Sequence, residues 1–443
     1  MMYKNAIMEE SLMLSNNLSV GANGRLFFGG QDTVELAQQY GTPLYVMDEV
    51  RVRENMQMYL RAFAQYFGPG SQPLYASKAC CFKRMYEIAK EEGMGIDVVS
   101  SGEVYTALKA GFPLSQAYFH SNNKTDWDIA FAMDNGIGFF VVDNREELDA
   151  IDRIAGEKNI RQPILLRLTP GIDPHTYEAV ATGKVDSKFG TAIETGQALE
   201  MVRYTLGLSH VDLKGFHCHV GSQVFGEDIF ERASEIMLTF MAQCREEFGI
   251  TLEKLDMGGG YGVRYVDSDG FVDIPAAIGR VAAFMKQTCV RLGMELPKIS
   301  MEPGRSIVAD AGLTLYSVGT IKKITGYKNY VSVDGGMTDN PRFALYGSKY
   351  TVYLASRPND PKDLTADVVG RCCESGDVVQ PNVQLPEPKR GEILAVCTTG
   401  AYNYSMASNY NRVNRPAVVM VTPDTSYVAV KRESLEDLVR NDV

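Results

Sequence analysis

Between about residue 70 and residue 305 the chain alternates short apolar runs with longer stretches of helical period. The runs are PLYASK (73–78), GIDVVSS (95–101), AYFHSNN (117–123), GFFVVDN (138–144), PILLRLTPG (163–171), LKGFHCHVGS (213–222), KLDMGGG (254–260) and KISMEPG (298–304), which makes eight strand candidates. Helical period separates them over Phe82–Glu92, Gly102–Ala110, Arg145–Ala155, Asp228–Glu247 and Ile274–Leu292, and DEVRVRENMQMYLRAF (48–63) precedes the first run. Strands alternating with helices form a parallel sheet, and eight repeats of this length favour an α/β fold closed as a (β/α)8 barrel over an open sheet.

After Arg305 the texture changes to strand patterns without long helices: LTLYSVGTI, NYVSVDGG, YTVYLAS, ADVVGRC, EILAVCTTG, AVVMVTP and SYVAVKR. LSVGANGRLFFGG (18–30) near the other end has the same texture. These patterns predict a barrel over 45–307 and a mainly β second domain built from both chain ends, 1–44 and 308–443. The first fifteen residues are expected to be flexible.

Composition narrows the function classes. A chain of 443 residues, 45% hydrophobic and 22% charged, is long enough for two domains with a large core. A net charge of −11 offers no basic face for nucleic acid, and no run of eighteen apolar residues suggests a membrane span. The first twenty residues carry Glu9 and Glu10 where a signal peptide needs an unbroken apolar stretch, so a cytoplasmic location is expected. Eight scattered cysteines form no CxxC pair, and Cys80–Cys81 and Cys372–Cys373 are adjacent, so reduced thiols are expected.

The chemistry gathers at strand ends. Lys78, Ser100, Ser101, Asn122, Asn123, Asp143, Arg167, His219, Ser222, Gly258–Gly260, Glu302 and Arg305 all follow strand candidates, at the end where such barrels carry their active sites. Lys78 is either a snorkelling side chain or, if buried with a depressed pKa, a Schiff-base former. His217 and His219, two apart on a strand, share a face and invite a metal, yet no third ligand sits within the motif. Gly258, Gly259 and Gly260 make either a tight turn or a nest of N–H groups for a phosphate. Glu302, Pro303, Gly304 and Arg305 bring an acid, a rigid turn and a guanidinium fork to one rim. An acid for a pyridine nitrogen and donors for a phosphate are what pyridoxal phosphate requires. Asp97 is either a site acid or a strand-end cap.

YASKA, DVVSSGE, DSKFG (186–190), HCHVGSQ, GGGYG, EPGR, MTDNPRFALYGSKY, CESGD and GAYNYSMASNYN, in this order over nearly the whole chain, resemble the fold-type III pyridoxal-phosphate decarboxylases, most closely their diaminopimelate branch. The resemblance implies an alanine-racemase-type barrel plus a C-terminal β domain. It implies that Lys78 holds the cofactor covalently, His219 stacks on its ring, and Glu302 bonds the ring nitrogen. Ser222, Gly258, Gly259, Gly260, Pro303, Gly304 and Arg305 would bind or border the phosphate, with Asp97 close to the lysine. Arg342, Tyr346 and Glu374 would grip the far end of diaminopimelate, with Arg305 and Tyr402 also reaching it, and Cys373 would return a proton after CO2 leaves. No metal is implied. The CESGD loop would come from the partner of a homodimer, and the product would be lysine, at the last step of its biosynthesis. Ornithine, arginine or carboxynorspermidine is the rival substrate, and a silent regulator that keeps the fold is the rival class; Lys78 and Cys373 are both present.

One run stands out. GAYNYSMASNYNRVNRP (400–416) sets Tyr402, Tyr404 and Tyr410 among Asn403, Asn409, Asn411 and Asn414. Tyr402 would contact cofactor and substrate, with Asn409, Asn411 and the other tyrosines satisfying a buried polar loop.

Overall fold

The computed structural model describes residues 13–172, 187–226 and 228–443, so Asp186 of the DSKFG motif and the first twelve residues lie outside the described residues. Two compact units divide the chain. One comprises residues 53–263 and 270–307; the other takes the described residues up to 52, a short insert at 264–269, and 308–443.

The first unit is a closed parallel barrel of β1 (Gln72–Ala76), β2 (Gly95–Val98), β3 (Ala117–Phe119), β4 (Phe139–Val142), β5 (Gln162–Thr169), β6 (Val211–His217), β7 (Lys254–Asp256) and β8 (Lys298–Met301). Each strand pairs with the next, and β8 returns to β1 through Ser300 opposite Gln72. All eight candidates read from the sequence are strands here. Leu74, Tyr118, Val141 and Leu165 pack together in the interior, and the rings of Tyr118 and Phe139 stack at 4.5 Å.

Local chemistry sets the helix ends and thereby aims the loops. Ser100 accepts from Glu103 N–H to cap Ser101–Lys109, Asn144 caps Arg145–Glu157 in the same way, and Thr125 with Asp128 forms a capping box. Ser100 therefore acts as a helix cap. Two helices, Asp126–Asp134 and Gln197–Leu206, were not singled out from the pattern. DWDIAFAMD lacks a one-sided apolar stripe, which is the signal that periodicity reads.

In the second unit Leu44–Asp48, buried at every position, runs antiparallel to Gly312–Ile324 and parallel to Ala417–Val421. Ile393–Cys397, Val352–Leu354, Lys328–Val333, Leu364–Val369, Val378–Leu385 and Ser426–Val430 extend this sheet. The boundary expected at 45 therefore falls inside a strand of the β unit, because LYVMD is a continuous buried run paired between two other strands. Leu26, Phe28, Leu44, Val46, Leu313, Leu315, Ala395 and Val419 form its core. Among the described residues no helix is long and apolar enough to cross a membrane, and all eight cysteines are free thiols.

Candidate active site

The C-terminal ends of the barrel strands gather an unusual density of ionisable groups. Beyond β1 the chain makes a short 3-10 turn, Ser77–Ala79, pinned by Ser77 Oγ donating to the Asp97 carbonyl at 2.7 Å. Lys78 stands on this turn and is exposed, not buried as the Schiff-base argument supposed. The turn leaves the strand before Lys78 and lifts the side chain clear of the packed interior.

Below it lies a buried acid between two imidazoles. His120, just past β3, and His217, the last residue of β6, are buried with ring centroids 4.8 Å apart. Their Nε2 atoms reach different oxygens of Glu302: His217 to Oε2 at 3.1 Å, and His120 to Oε1 at 2.6 Å with an oblique approach. Burial by itself would raise the Glu302 pKa, but the two rings outweigh it and hold the carboxyl well below its ordinary range. Its acidic neighbours go the other way. Burial pushes Asp97 up to about 6, against His120, and pushes Asp256 well above the usual carboxylate range with Glu302 adding to the shift. Of the three buried acids Glu302 is thus the most readily ionised and Asp256 the least.

His120, His217 and Glu302 are also, among the described residues, the cluster with metal-ligand spacing. The 2.6 Å approach of His120 Nε2 to Oε1 is too close for two ligand atoms of one tetrahedral zinc, which, bonded at about 2.0 Å each, sit roughly 3.3 Å apart. The pairing of His217 with His219 that the sequence suggested is not formed: His219 is only half-buried and its Nδ1 accepts from Gly259 N–H at 3.3 Å. Burial, with Lys78 and Arg167 nearby, lowers the His219 pKa far enough to keep the ring neutral.

The glycine run packs three loops together. A Cβ at Gly258 would lie 2.6 Å from the Cys218 carbonyl oxygen, and one at Gly259 or Gly260 would overlap the carbonyl of Glu302 or of Gly221. Gly258 and Gly260 also have φ of 65° and 130°, where only glycine is unstrained. Gly258 N–H donates to Asp256 and Gly259 N–H to His219, so of the expected nest only the Gly260 N–H is not spent inside the barrel. Arg305, buried, sends Nε and Nη2 to Ser222 Oγ at 3.2 and 3.1 Å, and Pro303 and Gly304 lie between it and Glu302, with Gly304 closing on Ala76. Gly259→Ala is expected to cost on the order of 1–3 kcal/mol, since a methyl there must displace a backbone carbonyl. Thermal melting would record it, and an unshifted midpoint would refute the close approach.

Further strand-end residues join this rim. Arg167 stacks on the Phe189 ring at 4.4 Å and faces Asp143 at 3.9 Å, while Lys124 and Glu147 form a buried ion pair at 2.7 Å. His120, Asp256, Lys124 and Glu147 carry no role in the sequence pattern; the position of His120 at a strand end is their clearest signal.

The β unit groups Arg342, Tyr346 and Tyr402: the buried guanidinium lies 5.0 and 5.2 Å from the two rings. Tyr402 takes a left-handed φ of 63°. Cys373 and Glu374 stand exposed on a turn that Asp377 pins by accepting from Met337 and Cys372 N–H at 2.6 and 2.7 Å. Cys373 N–H donates to Asn411 Oδ1 at 2.8 Å. The polar loop differs from its expected form: Asn403 is buried, but Tyr410 and Asn411 are exposed and Asn409 half-buried, donating to Glu433 at 2.6 Å. Its hydrogen bonds go largely to its own turns and neighbours.

Residues 51–309 match the family described as pyridoxal-dependent decarboxylase, pyridoxal binding domain. The diaminopimelate decarboxylase of Bacillus subtilis is 42% identical over 95% of this chain and 96% of its own, and that of Staphylococcus aureus 44% over 95% and 98%. The chain belongs to the diaminopimelate decarboxylase family. A solved diaminopimelate decarboxylase from M. jannaschii, in complex with L-lysine, superposes with a TM-score of 0.89 at 31% identity, covering 98% of this chain and 99% of that one.

Family membership implies pyridoxal phosphate, and the donor set fits it. A lysine, a carboxylate held ionised, an arginine with a serine, and a backbone cradle that any Cβ would fill converge at the ends of β1, β6, β7 and β8.

Proposed function

We propose that this protein removes one carboxyl group of meso-2,6-diaminopimelate as CO2, leaving L-lysine, with pyridoxal phosphate as cofactor. The observation that carries the reading is Glu302, a buried carboxylate kept anionic beneath an exposed lysine, in a chain of this family. Bound pyridoxal phosphate supplies the electron sink for the pair that departing CO2 leaves behind.

The chain's own residues do the rest. Lys78 would hold the cofactor through its side-chain amine. Glu302 would keep a proton at the ring nitrogen, His219, a neutral ring, would support the cofactor face, and Asp97 would lie close to the lysine. Arg305, Ser222 and the Gly258–Gly260 turn receive the phosphate with Pro303 and Gly304 shaping the turn.

Arg342, Tyr346 and Tyr402 form the clamp for the distal carboxylate, and Glu374 takes the distal ammonium. Cys373 delivers the proton to the carbon that CO2 has left. Cys373 and Glu374, exposed on their own chain, are open to the site of a second copy, in keeping with a homodimer that shares its sites between subunits of a cytoplasmic enzyme.

The test is CO2 release from meso-diaminopimelate, with ornithine, arginine and lysine in parallel, by protein supplemented with pyridoxal phosphate. Release from diaminopimelate alone is expected. The other three lack a distal carboxylate and leave a buried arginine unpaired, which discriminates strongly. Release only from one of them would overturn the clamp, and release from none would overturn the enzyme.

A further inference from the structure

We propose that His120 and His217 are positioning residues that act through Glu302, each presenting a ring N–H to one of its carboxylate oxygens and so fixing which lone pairs face the cofactor. The inference rests on the reading that Glu302 meets the ring nitrogen.

The geometry is specific. His217 and His120 arrive from opposite sides of the barrel, on β6 and after β3, and take Oε2 and Oε1 separately. His120 Nε2 lies 2.6 Å from Oε1 at an angle too oblique for a formed hydrogen bond, and neither atom has another hydrogen-bond partner among the described residues, so a small turn of the ring would bring an Nε2 proton onto that oxygen. His217 Nδ1 is buried without a partner among the described residues. An orphaned buried nitrogen is costly, and it marks a ring held for its other nitrogen.

The charge state matters as much as the direction. Burial lowers both imidazoles, so both are neutral near pH 7. Neutral donors stabilise an anion without cancelling it, whereas an imidazolium would leave Glu302 little charge for the ring nitrogen. Around Glu302 stand Asp97 from β2 and Asp256 from β7, both of which disfavour its charge, and Arg167 from β5 and His219 beyond β6. Tyr118 and the Cys218 thiol also face it, both held protonated by burial. With the two donors removed, burial and the acids would win, and Glu302 would take up a proton as the pH falls from neutrality.

The experiment uses the holoenzyme with His217→Leu, His120→Leu and the donor-keeping His217→Gln. In the Leu variants the acid limb of kcat/KM should move up by about one to two pH units, the usual strength of a hydrogen bond to a charged group. The pH titration of the bound-cofactor absorbance should move with it, kcat should fall more than KM rises, and His217→Gln should recover most of the shift. In a Glu302→Gln background the Leu substitutions should add little.

Leu variants that load cofactor but keep the wild-type profile and spectrum would overturn the clamp. Should they fail to fold, nitrogen NMR of the wild type decides: the five histidines give a tractable spectrum, and both rings must appear neutral and protonated at Nε2. An imidazolium or the Nδ1 tautomer overturns the proposal. A wild type that neither binds pyridoxal phosphate nor decarboxylates diaminopimelate would overturn the functional reading instead, whatever the variants do.

Discussion

Glu302→Gln is expected to fold, bind pyridoxal phosphate and turn over roughly a hundredfold or more slowly, the usual cost of removing a preorganised electrostatic partner from a reacting centre. The amide matches the carboxylate in shape, so the cradle around it survives. It cannot hold a proton on the ring nitrogen, so the electron sink weakens. The amide also brings an NH2 against one imidazole donor, and His217, with its Nδ1 unpartnered, can exchange tautomers to accept it. Folding should therefore suffer little while turnover collapses. Turnover within a few-fold of wild type would sink the assignment of Glu302.

Cys373→Ala and Lys78→Ala are each expected to abolish measurable decarboxylation, and a mixture of the two, unfolded and refolded together, should regain it. Cys373 is the one exposed cysteine of the eight. Burial instead pushes Cys81 up to about 12 and Cys372 up to about 11, which keeps those thiols inert. If Cys373 serves the site of a second copy, a mixed dimer holds one site with both Lys78 and Cys373 intact. If each chain serves itself, no mixture can recover. Recovery without a dimer in light scattering, or no recovery in a proven mixed dimer, would refute the shared site.

The barrel was legible because every strand candidate ends in a polar or glycine-rich turn, and most of the helices between carry one apolar face, Asp126–Asp134 being the exception. The site's location was legible for the same reason, since strand ends in such a barrel define one rim. What each residue does there was less so. Lys78 gave no sign that a 3-10 turn would lift it into solvent. His120 and Asp256 looked ordinary, because which strand-end side chains meet in the interior depends on the registers of eight strands together. The strand Val378–Leu385 was hidden by Pro381, which removes a ladder donor. Arg342 with its two tyrosines was read through family resemblance, as alternation alone assigns no partner to a buried guanidinium.

The place of Leu44–Asp48 in the β unit bears on how the protein is made. This strand leaves the ribosome early, yet its neighbours on either side, Gly312–Ile324 and Ala417–Val421, are translated only after the whole barrel. The barrel's own strands lie in order along the chain, so it can form while the nascent amino-terminal segment waits unpaired. Nonsense or frameshift truncations near residue 310 would therefore release a chain with a finished barrel and an orphaned apolar strand, a substrate for chaperones and proteases.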